Sequence, residues 1–107
     1  MVGLIPEGQF IAAHPGPLTL TVKLPVDASN PAWRLNGQSV AVTIDVQATV
    51  KTLKQQIGDM QGGMPPSKQQ LKHAMHGFLK DNFTLGYYNL ISGSELQLTV
   101  RSRGGKK

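Results

Sequence analysis

Between Leu18 and Leu24 every second residue is aliphatic, and the residues between, Thr19, Thr21 and Lys23, are polar. A period of two is the pattern of a strand with one buried and one wet face. Pro25 ends that strand, because it has no N–H for the ladder. The same alternation returns at Val40, Val42, Ile44 and Val46, which predicts a partner strand over Ser39–Val46. The connection from Val26 to Gln38 is long for a hairpin, and Asn36-Gly37 supplies a tight-turn signal just before the return strand. From Thr49 the period changes. Val50, Leu53, Ile57 and Met60 recur at helical spacing behind Thr49 as N-cap, predicting a helix with one apolar stripe turned to the sheet. Gly62-Gly63 stops it, and Met64-Pro65-Pro66 leads away in extended form.

The second half is more broken. A short strand is expected near Gln70–Met75, a turn at His76-Gly77 and a brief strand at Phe78-Leu79. Leu85–Asn89 reads as a 3₁₀ or short helical turn, and Leu96, Leu98 and Val100 alternate in a last strand over Glu95–Arg101. The order strand, strand, helix, strand, strand, turn, strand gives an α+β chain of the β-grasp type, a mixed sheet packed on one helix. Residues 1–17 hold Pro6, Pro15 and Pro17 among three glycines and read as a linker, the alternative being a short helical turn docked through Phe10 and Ile11. The globular unit is placed at 18–103. Residues 104–107 are expected to form a flexible basic tail, since Ser102–Lys107 contains no apolar side chain.

Composition narrows the function classes. The 107 residues make one domain by the usual length prior. The absence of cysteine excludes a disulfide framework, a thiolate metal site and a cysteine nucleophile. Apolar runs fall far short of the ~20 residues of a membrane-spanning helix, and the start lacks a signal-peptide pattern, so a soluble intracellular chain is expected. His73 and His76 flank Met75, but without a nearby carboxylate they read as surface histidines rather than metal ligands. The carboxylates are unpaired and no serine stands in a nucleophile elbow, so neither catalysis nor a cofactor is expected. Trp33 either covers the open end of the hairpin or belongs to a partner surface.

Net charge is +5, all of it carboxy-terminal: residues 1–67 carry four cations against four carboxylates, residues 68–107 seven against two. Lys68, Lys72 and Lys80 fall on or beside the third strand, Arg101 and Arg103 leave the last strand, and Phe78 stands at a turn between them. Cations around one exposed aromatic suit a nucleic acid, phosphates supplying affinity and the ring stacking on a base. The plainer alternatives are solvated lysines and a core Phe78. Likewise Arg103-Gly104-Gly105-Lys106-Lys107 reads either as a groove-following arm or as a localisation-like, solubilising end.

Several motifs carry a resemblance. Met64-Pro65-Pro66 after the helix, the Leu85 to Leu90 turn with Tyr88-Asn89-Leu90, and the final Arg101-Ser102-Arg103-Gly104-Gly105 stand in the order found in ubiquitin, and the likeness covers roughly Leu18 to Gly105. Within it, Trp33-Arg34-Leu35-Asn36-Gly37-Gln38, Gly77-Phe78-Leu79-Lys80-Asp81, Leu85-Gly86-Tyr87-Tyr88-Asn89 and the Arg103–Lys107 tail resemble the carboxy-terminal ubiquitin-like domains of the splicing factor 3a subunit 1 family. That resemblance implies a nuclear RNA-binding domain, monomeric and off the membrane, that binds a stem-loop of the small nuclear RNA pairing with 5′ splice sites. It also implies other spliceosomal proteins as partners through a parent chain. The implied RNA contacts are Lys68, Phe78, Lys80 and the tail from Arg103 through Gly104, Gly105 and Lys106 to Lys107, with Arg101 added from its position on the last strand. Two departures stand out: one basic residue fewer follows Gly105, and Gly77 replaces a bulkier residue. Conjugation as a modifier would require removal of Lys106 and Lys107. The competing expectation is a module docking a ubiquitin receptor or another splicing subunit, but the receptor patch is occupied by Lys72 or His73, Gln97 and Thr99, which lack the apolar centre of a protein interface.

Overall fold

A computed structural model of the chain describes residues 5–101. Its elements, in chain order, are α1 (Glu7–Ala13), β1 (Pro17–Lys23), β2 (Val26–Asp27), β3 (Leu35–Asn36), β4 (Ser39–Asp45), α2 (Val50–Met60), β5 (Gln69–His73), β6 (Gly77–Phe78) and β7 (Glu95–Val100). The predicted β-grasp is the fold found: a mixed five-stranded sheet in the order β4-β1-β7-β5-β6, with α2 across one face.

The two alternating runs pair antiparallel, with Leu18 opposite Ile44, Leu20 opposite Val42 and Val22 opposite Val40, so aliphatic side chains meet on the helix side. β7 inserts between β1 and β5, parallel to β1 and antiparallel to β5. Leu96 and Leu98 therefore lie at the centre of the sheet, buried together with Leu20, Val22 and Leu71. The Thr49 hydroxyl caps α2, accepting from the Thr52 N–H at 3.2 Å. Val50, Leu53 and Ile57 are buried as predicted, but Met60 is 43% exposed and Gln61 takes its place inward. From Ile57 the buried stripe runs on at a spacing of four rather than three. Gln61 tolerates that burial because its amide donates to the carbonyls of Trp33 at 2.9 Å and Arg34 at 3.4 Å.

Val26–Gln38 is a small ribbon rather than a loop: β2 pairs with β3 around a 3₁₀ turn at Pro31–Trp33. Trp33 packs half-buried against the core. Gly62 shows why two glycines stop α2: its φ is +68°, and a Cβ there would fall 1.8 Å from the Ala32 carbonyl oxygen of the ribbon. Leu85–Asn89 closes as expected in 3₁₀ fashion, with bonds from Tyr88 N to Leu85 O at 3.1 Å and Asn89 N to Gly86 O at 3.0 Å.

Of the segment read as a linker, residues 7–13 form α1. Phe10 is 4% exposed within the core, and Ile11 fills the space over Gly86, where a Cβ would stand 2.6 Å from Ile11 Cγ1. The Thr84 hydroxyl donates to the Glu7 carboxylate. Asn89, at φ +56°, accepts from Ile5 N at 2.8 Å and donates to Ile5 O at 3.2 Å. The docked helical turn, the alternative at this segment, is what forms there.

Candidate nucleic-acid interface

The hairpin of β5 and β6 is built by one alternation. Leu71 points inward, and Leu79 follows it, 5% exposed and donating its N–H to Leu71 O at 2.8 Å. Lys72 and Phe78, paired in register, face out on the open side. Gly77 turns the chain into β6 at φ +71°, a conformation that a larger residue adopts only with strain. Phe78 is left 56% exposed, with Lys72 Nζ 5.7 Å from its ring centroid. The core alternative for Phe78 is therefore not what the fold does: Leu79 is the core residue.

Lys80 follows on the exposed side, its backbone N–H held by Tyr88 Oη at 2.9 Å. The neighbouring carboxylate is already engaged, since Asp81 accepts from the buried Lys54 ammonium at 2.5 Å. Among the described residues this is the one ion pair, so Lys68, Lys72 and Lys80 are ion-paired to none of the described carboxylates. Arg101 N donates to Lys68 O at 2.7 Å, which brings the ends of the Pro66–Lys68 turn and of β7 side by side. Gln70, Phe78, Lys80 and Arg101 line one shallow cavity of about 250 Å³.

Lys68, the Phe78–Lys80 segment and Arg101, from three places along the chain, thus gather at the β5–β6 end of the sheet. Arg103, Gly104, Gly105, Lys106 and Lys107 lie outside the described residues. Gln70 was missing from the sequence-based set although it shares the cavity. Its signal was the period of two, which places Gln70 and Lys72 on the face opposite Leu71. Register also decides between the two patch candidates, for Lys72 and not His73 stands opposite Gln97.

His73 and His76 stack with ring centroids 4.5 Å apart, and His76 lies 5.6 Å from the Tyr88 ring. His73 Nδ1 accepts from Met75 N at 3.1 Å. Burial, and then the neighbouring His76, push the His73 pKa below the ordinary imidazole range. Among the described residues no three metal-ligating side chains converge, and no helix is long and apolar enough to cross a membrane.

Comparison with known proteins agrees with this architecture. Splicing factor 3A subunit 1 of Mus musculus is 36% identical over 104 residues, covering 97% of this chain and 13% of that protein. The probable splicing factor 3A subunit 1 of Arabidopsis thaliana is 41% identical over 106 residues, covering 97% of this chain and 12% of that protein. The chain thus spans 12–13% of the length of these curated relatives. A solution structure of the ubiquitin-like domain in a splicing factor superposes with a TM-score of 0.73 at 37% identity, over 96% of this chain and 86% of that one. A model of the Ubiquitin family matches residues 32–103, from the ribbon and α2 through the last strand. With the sheet order, the helix across one face and the relatives all in agreement, the chain belongs to the ubiquitin family.

Proposed function

We propose that this ubiquitin-like domain is a non-catalytic RNA-binding module of a splicing factor. Its ligand is a stem-loop of the small nuclear RNA that pairs with 5′ splice sites, so that the domain helps bridge particles early in spliceosome assembly, in the nucleus and beside other spliceosomal proteins. One observation carries the reading: an exposed phenylalanine stands among cations that no described carboxylate pairs, on a surface where a protein-docking member of the fold would need an apolar centre. Lys68, Lys80 and Arg101 contact phosphates of the stem, and Phe78 stacks on a base where stem meets loop. Arg103, Lys106 and Lys107, spaced by Gly104 and Gly105, enter a groove. The names of the relatives support the splicing context, and the resemblance of motifs supports the choice of RNA.

The test is an NMR titration of the labelled chain with an RNA stem-loop at two salt concentrations. Shifts concentrated at Lys68, Phe78, Lys80 and Arg101, and weaker in high salt, are expected. A chain ending at Arg101 keeps its fold and loses most of the affinity. Silence at these residues, together with capture of a ubiquitin-associated domain, would return the function to protein docking.

A further inference from the structure

From Phe78 of that site a row of side chains leads away across the open face of the sheet. Register places Lys23 opposite Gln97, Gln97 opposite Lys72, and Lys72 opposite Phe78. One row therefore crosses β1, β7, β5 and β6, beginning at an exposed lysine and ending at the exposed phenylalanine. Neighbouring strands lie about 4.8 Å apart, which sets the Lys23 and Lys72 backbones about 10 Å apart and Phe78 about 5 Å further on. A cavity of about 370 Å³ runs beside the row, lined by Lys23, Lys72, Ala74, Glu95 and Gln97. Glu95 stands one pleat away, opposite Thr21, and is ion-paired to neither lysine.

We propose that this row is a second phosphate track, on which single-stranded loop nucleotides of the bound RNA cross the open face. The inference rests on the RNA-binding reading above and extends it to residues that reading does not use. The strand leaving the base stacked on Phe78 runs across β5, β7 and β1, with one phosphate at Lys72, another at Lys23, and the Gln97 amide between them facing sugars or base edges. The ~10 Å between the lysine backbones is a span that a few nucleotides of a hairpin loop cover. A protein partner fits this face poorly. Lys72, Gln97, Thr99 and Thr21 offer no apolar centre to desolvate, whereas phosphates need only correctly spaced cations.

The decisive comparison uses the whole chain, a synthetic RNA stem-loop, and the same stem closed by a non-nucleotide linker. The variant is Lys23→Gln with Lys72→Gln. A control, Arg34→Gln with Lys51→Gln, removes equal charge from exposed positions on the ribbon and α2. Removing two cations that hold single-strand phosphates makes the negative slope of log affinity against log salt shallower by about 1.4, and lowers affinity about tenfold at physiological salt. That weakening is expected for the stem-loop, but neither for the linker-closed stem nor in the control. Equal slopes for variant and parent would overturn the inference while leaving the RNA-binding reading standing, as would an equal weakening in the control. If the parent chain itself shows no salt-dependent binding to the stem-loop, both readings fall. Amide spectra of both variants report that the sheet is intact.

Discussion

Phe78 and Leu79 are adjacent apolar residues with opposite fates. Composition cannot tell them apart, and a two-residue strand is too short for alternation to decide. The register of β6 on β5 decides, pairing Phe78 with Lys72 on the open face and sending Leu79 into the core. Because Phe78 is exposed, Phe78→Ala changes stability by no more than about 0.5 kcal/mol. On the proposed RNA-binding reading it should cost about 1–3 kcal/mol of RNA affinity through the missing stacking. Parallel thermal melts and binding titrations separate the two effects, and a large drop in stability would show that the ring is structural. His73 carries a second expectation. Its folded pKa lies below the ordinary value, so the unfolded chain binds a proton more readily than the fold does. The contribution of His73 to stability is full above about pH 6.5 and is lost as pH falls through the folded value. His76→Gln removes one cause and raises the His73 pKa, which NMR titration of the ring protons reads; a His73 titrating at or above the ordinary value overturns this account.

At the scale of elements, the strands and helix with a sustained period were legible. β1, β4, α2 and β7 stand within a residue or two of the expected bounds, because each carries at least three apolar residues at one repeat. Less legible were elements held by docking rather than by their own pattern, and α1 stood only as the alternative to a linker. α1 has seven residues, too few to be stable alone, and it forms because Phe10 enters the core while Gly86 leaves room for Ile11. Phe10→Ala should therefore cost about 3 kcal/mol, a cost that a bare linker would not show. Chemical denaturation measures it, and a change below about 0.5 kcal/mol would mean that the helix adds nothing to the fold. The ribbon of β2 and β3 is a similar case, since its place depends on Gln61 reaching the Trp33 carbonyl and on Gly62 lying against Ala32.

At the scale of the whole molecule, the charge asymmetry of the chain becomes an asymmetry of surface. The basic second half supplies β5, β6 and β7, and the neutral first half supplies β1, β4 and α2. If about 4–6 phosphates are neutralised, log affinity for RNA falls with log salt at a slope of about −3 to −5. Isothermal titration across a salt series measures it, and a flat dependence points to a protein partner. By itself the sequence determined the order of elements that a β-grasp requires, the capped helix and the basic bias of the second half. These follow from local periodicity, turn chemistry and counting, which need no knowledge of what touches what. Only the tertiary structure decided that Phe78 is outside, that Asp81 is engaged by Lys54, that Lys68 and Arg101 are neighbours, and that Lys23 shares a row with Lys72. Each depends on strand register and on contacts between residues far apart in the chain, and the insertion of β7 between β1 and β5 creates most of them.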